Sequence, residues 1–213
     1  MNTLDSRSLN IGDCLAIKFP AAGPVRHLLS TGAHAPARVG PNEGFPINVK
    51  AKSDPAAPAK QYIIVVKKDG NQFVPDTKDL SIQAGDTVLW YTTDPTVAGF
   101  AVGVSGKDFA FSSHGLRAEA IYTHAFGTPG TYEWADPLAR NVSGVVVVTP
   151  VTPKNDSERQ AWLDSLSKGA AFEIRGGKVT PAKVEIVVGQ TVFWKVWDGE
   201  GIAIVDKRLM VAK

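Results

Sequence analysis

His114 and His124 are the residues whose type and position most invite metal or acid–base chemistry. With Asp136 they make a conceivable three-ligand metal site. The three fall on different segments, however, and nothing in their spacing draws them together. His124 alternates with Tyr122 and Phe126, so all three side chains share one face of a strand. That pattern reads most simply as a hydrogen-bonded histidine at a sheet margin. His114, in Ser112-Ser113-His114-Gly115, reads as a turn residue. Nucleophilic chemistry has less to draw on. There is no Gly-x-Ser-x-Gly elbow and no glycine-rich phosphate loop. Carboxylate pairs such as Glu133 and Asp136 are ordinary in a sandwich. Cys14 is the only cysteine, so no internal disulfide can form. With Asp13 beside it, Cys14 is expected to be a small apolar residue rather than a reactive thiol. The residues therefore point away from an enzyme, and no catalytic residue, metal ligand or cofactor is expected.

The elements that would position these residues are strands. From Gln61 onward, β-branched and aromatic runs recur between Gly, Pro and Asp: Tyr62 to Val66, Leu80 to Ile82, Val88 to Trp90, Phe100 to Val104, Phe109 to Phe111, Ala120 to Phe126, Thr131 to Trp134 and Val145 to Val148. That spacing predicts an all-β sandwich. One helix is marked by Asn155 as cap, Glu158 three residues on, and Trp162 and Leu166 on one face, with Gly169 as its expected end.

Within this set, Pro129-Gly130-Thr131-Tyr132 enters a strand and Gly144 opens the next. Phe73-Val74-Pro75, Gly85-Asp86-Thr87-Val88-Leu89-Trp90 and Phe111-Ser112-Ser113 precede them in order. In these marks residues 61–150 resemble the cupredoxins, the plastocyanin- and azurin-like blue-copper proteins. The resemblance implies a Greek-key β-sandwich. It also shows what has been lost. Ala135 stands where that family has its Cys, Leu138 where it has a His and Val142 where it has a Met, and Asp94 to Phe100 holds no His. Blue copper needs two imidazoles and a thiolate, so a copper-less domain is implied.

Gly189-Gln190-Thr191-Val192-Phe193-Trp194 repeats Gly85 to Trp90 at an offset of 104 (189 minus 85), with Val184 and Ile186 matching Leu80 and Ile82. Four parts are expected: an irregular, proline-rich arm over 1–60, a cupredoxin-like domain over 61–150, a connecting helix over 151–170, and half of a second unit over 171–213. A half unit leaves strand edges open and needs a cover.

The net charge of +2 argues neither for nor against a nucleic-acid partner. Residues 1–60 carry seven Lys/Arg against four Asp/Glu. No aromatics interleave with Arg26, His27, Arg38, Lys50 and Lys52 as nucleic-acid binding favours. A docking arm for an acidic protein or for lipid head groups is the sharper reading, a solvated basic loop the plainer one. Met1 to Asn10 lack the apolar core of a secretory signal, and no run is long enough to span a bilayer. The cytoplasm or the cytoplasmic face of a membrane is the expected place. The cupredoxin resemblance implies the periplasm instead. By that same resemblance, the chain is expected to be a non-catalytic structural or accessory subunit of a larger assembly, plausibly a membrane-bound photosynthetic or respiratory electron-transfer complex. Its expected contact residues are Arg26, Arg38, Asp136, Pro137, Leu138, Arg140 and Asn141. Two other readings remain: a copper-binding protein with relocated histidine ligands, and an enzyme with a pocket between the two β units.

Overall fold

The structure, a computed structural model, describes residues 3–32, 43–107, 109–139, 141–199 and 201–210. The first half of the chain carries β1 (Asp13–Lys18), β2 (Gly23–Thr31), β3 (Phe45–Lys50), β4 (Gln61–Asp69), β5 (Gln72–Pro75), β6 (Leu80–Gln83), β7 (Thr87–Tyr91) and β8 (Phe100–Gly106). A short β9 (Ala110–Ser112) follows. The second half carries β10 (Ala120–Ala125), β11 (Gly130–Ala135), β12 (Ser143–Thr149), α1 (Asp156–Ser165), β13 (Ala170–Arg175), β14 (Lys178–Thr180), β15 (Lys183–Val187), β16 (Thr191–Val196) and β17 (Val205–Asp206). The protein is an all-β sandwich. An eight-stranded sheet, ordered β14-β13-β16-β10-β1-β7-β4-β5, is packed against two smaller sheets, β15-β12-β11-β17 and β6-β3-β2-β8-β9.

This order is a duplication. Reading outward from the β1/β10 junction, β1, β7, β4 and β5 occupy the same slots as β10, β16, β13 and β14. Directions agree: β7 is antiparallel to β1 and parallel to β4, while β16 is antiparallel to β10 and parallel to β13. In the smaller sheets β6-β3-β2-β8 corresponds to β15-β12-β11-β17, again with matching directions. The correspondence reaches single hydrogen bonds. Leu9 N–H donates to Phe100 O as Leu116 N–H does to Ile202 O, both at 2.7 Å. Ser113 Oγ accepts from Val102 N–H at 3.1 Å, and Ser6 Oγ accepts from Ile204 N–H at 3.0 Å. Gly12, at φ 90°, has Glu119 as its counterpart, the one non-glycine residue among those described with positive φ.

Two sequence expectations change accordingly. Residues 1–60 are not an irregular arm: β1 lies at the middle of the large sheet, and β2 and β3 belong to a smaller one. The alternation of buried Val25, His27 and Leu29 drives β2 inward, and Pro24 and Pro46 sit near strand starts, where a missing N–H is tolerated. Nor is the second unit a half. Its missing strands are β10, β11 and β12, so the stretch 61–150 is divided between both halves. The repeat itself is observed, with β7 and β16 in equivalent slots. The helix starts as expected, with Asn155 Oδ1 accepting from Glu158 N–H at 2.8 Å. It ends at Ser165, before Gly169. Its Trp162 indole N–H donates to Val188 O at 2.9 Å and ties the helix to the sheet.

The core lies between the layers. Trp90 and Trp194 are fully buried at matching positions. Trp194 is surrounded by Phe172 (stacked, 5.7 Å between ring centroids), Tyr122 (5.4 Å) and Trp134 (edge-on, 5.9 Å). The halves fill this space differently. Where the second half has Trp134 opposite Gly144, the first has His27 opposite Phe45. A side chain at Gly144 would meet Trp134 and Phe172 at about 3 Å, so the large indole requires that glycine.

His27 carries a cost. Its Nδ1 accepts the Trp90 indole N–H at 3.3 Å. Its Nε2 is buried without a partner among the described residues. Burial, reinforced by Arg26, pushes its pKa from 6.5 down to about 4. Below about pH 6.5 the unfolded chain binds a proton that the folded histidine refuses until about pH 4. Stability is therefore expected to fall across that window as pH drops, by about 3 kcal/mol in all. Urea unfolding at several pH values should show a loss of this size in wild type and not in His27→Phe. Parallel pH profiles for the two proteins would contradict the assignment.

Candidate functional site

Pairing of β1 with β10 sets Asp13 directly opposite His124 and diagonal to Tyr122, all on the inner face of the sheet. Asp13 Oδ1 accepts from Tyr122 Oη–H at 2.8 Å and lies 2.6 Å from His124 Nδ1. Asp13 Oδ2 accepts from Asn10 N–H at 2.7 Å. Three donors suit an ionised carboxylate, which can only accept. Burial pushes the Asp13 pKa up, and His124, Asn10 and Tyr122 pull it part of the way back. Burial and the Asp13 charge hold Tyr122 well above the ordinary phenol range, so it remains a hydroxyl donor. A proton on His124 Nδ1 is directed at Asp13. In the neutral ring that leaves Nε2 with a lone pair, which is how a carboxylate fixes the tautomer of a functional imidazole.

His124 and Phe126 are the most buried residues lining a cleft of about 410 Å³. Its walls are Tyr132, Leu209 and the segment Gly127 to Thr131. Asp206, Arg208 and Thr3 complete the lining. Tyr132 Oη–H donates to Thr128 O at 2.9 Å. Arg208 donates to Asp206 through Nε at 2.9 Å and stands 5.3 Å above the Tyr132 ring. Burial raises the Asp206 pKa, and Arg208 more than reverses this, leaving the carboxylate below its usual range.

The pseudo-dyad between the halves supplies an internal comparison. It relates Asp13, Tyr122 and His124 to Ala120, Leu15 and Ile17 of the same β1/β10 ladder, in which Leu15 is directly opposite Tyr122. Those three are buried and apolar. The fold accepts an apolar set in this environment, so the polar set is not required by packing.

The expected contact residues fare unevenly. Leu138 is 89% exposed, and Asn141 is exposed beside it. Pro137 is half-buried. Asp136 turns inward instead of outward: it is buried, and its Oδ1 accepts from Leu138 N–H at 3.1 Å, closing the loop on itself. Arg26 is spent internally, with Nε and Nη2 donating to Glu43 O and Gly44 O, both at 2.6 Å. Arg38 and Arg140 lie outside the described residues.

His114 is half-buried, its pKa lowered by burial and by Arg7, with Asp5 opposing. Among the described residues no three His, Cys, Asp or Glu side chains cluster closely enough to hold a metal. His114, His124 and Asp136 are not brought together. Cys14 is partly buried, and burial, then Asp13, push its pKa up to about 12, as expected for an unreactive thiol. No helix among the described residues is long and apolar enough to cross a membrane. No family model, curated protein or solved structure matches the chain.

Proposed function

We propose that the protein is a partner-binding accessory subunit of a larger protein assembly, built on copper-less, Greek-key, cupredoxin-like halves. The observation that carries this reading is the outer face of the eight-stranded sheet. One row across it runs Val65, Tyr91, Cys14, Thr123 and Phe193, and the next runs Ile63, Leu89, Ala16 and Ile121 before ending at Lys195 and Glu173. Ile63 is 54% exposed and Phe193 39%. An antiparallel region ordinarily turns polar side chains to water on the face away from the core. A largely apolar stretch of this kind, running over β4, β7, β1 and β10, is characteristic of an interaction surface. Leu138, at the tip of the β11–β12 loop, adds a second exposed apolar contact. A membrane-bound photosynthetic or respiratory complex as host rests on fold-level analogy alone.

Ile63→Glu combined with Phe193→Glu tests the reading. The variant should remain folded, since both side chains face away from the core. It should lose at least tenfold of whatever wild type retains on co-purification from the native source under mild detergent. Light scattering separates binding of other proteins from self-association. Equal recovery of the same proteins by both forms would sink the proposal.

A further inference from the structure

We propose that the cleft at His124 binds a neutral aromatic alcohol, a phenol-like molecule whose hydroxyl donates to the free imidazole nitrogen. The site is independent of the outer sheet face and would stand if that surface proved idle.

Burying polar groups is costly unless they are paired. The chain buries Asp13, Tyr122 and His124 at a place where its own second copy of the environment holds Ala120, Leu15 and Ile17. A polar set retained where an apolar one fits is a candidate for function rather than folding. Its arrangement is directional. Tyr122 and Asn10 fix Asp13, and Asp13 engages Nδ1 of His124. Among the described residues, no partner is seen for Nε2. The imidazole lines the cleft.

The phenol and the charged side chains there are already committed. The Tyr132 hydroxyl serves Thr128 O, and the Arg208 and Asp206 charges serve each other. The hydroxyls of Thr128 and Thr131 are exposed and that of Thr3 half-buried, so the acceptor at the buried end of the cleft is the histidine nitrogen. A carboxylate behind that ring strengthens it as an acceptor and disfavours an anionic ligand. A cation would meet Arg208, which already covers the face of Tyr132. What suits the site is a neutral donor on an apolar body. Tyr132, half-buried and edge to face with the buried Phe126 at 4.9 Å, presents an aromatic wall to such a body. At about 410 Å³ the cleft has room for substituents on the ring.

The test uses the full chain and follows the His124 ring resonances by NMR during titration with phenol, anisole and benzoate. Phenol should shift them saturably. Anisole, which has the ring without the donor, should bind at least tenfold more weakly, because a site built to pair a hydroxyl rejects the analogue lacking it. Benzoate should leave them unmoved. His124→Phe should bring phenol and anisole to the same affinity. If that variant does not fold, Thr131→Trp, which narrows the cleft without touching the polar set, should abolish the phenol shift. Equal binding of phenol and anisole by wild type overturns the proposal. So does phenol binding that leaves His124 unshifted, or an absence of saturation.

Discussion

Asp13→Ala is expected to cost at least about 3 kcal/mol, whereas replacing Asp13, Tyr122 and His124 together by Ala, Leu and Ile should cost nothing or stabilise the protein. The single change removes one acceptor and strands three donors: the Tyr122 hydroxyl, His124 Nδ1–H and Asn10 N–H. Each buried donor left unpaired costs about 1–3 kcal/mol. The triple change installs the side chains that the chain itself uses at Ala120, Leu15 and Ile17, all of them buried. Exchanging a buried charged group for well-packed apolar residues is often neutral, or stabilising by about 1–4 kcal/mol. Urea unfolding at neutral pH measures both proteins. A triple variant as unstable as the single one would show that the polar set is structural, and would remove the reason for assigning it a function.

Trp194→Ala is expected to cost about 3–5 kcal/mol, the range for truncating a large buried aromatic residue. Trp90→Ala should cost a similar amount and also leave the buried His27 Nδ1 without its donor. The two halves share one eight-stranded sheet through the β1/β10 pairing. Either substitution should therefore lower the midpoint of a single unfolding transition, not split it. Fluorescence and far-UV circular dichroism followed together in urea decide the matter. Two separated transitions would mean that the halves are stable independently.

The strand content was legible because β-branched and aromatic runs alternate visibly, and the repeat of Gly85 to Trp90 in Gly189 to Trp194 located two equivalent strands. The assembly was not legible. Residues 61–150 carry the family-like marks as one continuous stretch, yet β4 to β8 close with β1 to β3, and β10 to β12 close with β13 to β17. Pairing partners in a duplicated chain are equivalent in pattern, so periodicity cannot choose between them. Proline density disguised β2 and β3, whose alternating burial is plain once the sheet is known. The same ambiguity hid the polar site. His124, Tyr122 and Phe126 were placed on one strand face, but Asp13 lay in a segment expected to be an arm, and only the register of β1 against β10 brings its carboxylate to the imidazole. The hydrogen bonds of Arg26 and Asp136 were hidden for a different reason: sequence shows a charge but not the backbone groups it pairs with.

The duplication also bears on how the chain reaches this arrangement. It holds two interchangeable sets of three strands, β1 to β3 and β10 to β12, and β4 to β8 lie between them along the chain. Either set has the hydrogen-bonding pattern to complete that middle segment. Released all at once from denaturant, the chain confronts two compact pairings of comparable local quality, a competition that flattens the landscape. Emerging from a ribosome it does not. β1 to β3 are made first and are in place when β4 to β8 follow, and the later set finds those slots taken. The last contacts to form, such as Ser6 with Ile204, 198 residues apart, then join the beginning of the chain to its end. Direction of synthesis thus does what the pattern of side chains alone does not: it tells two copies of the same strands apart.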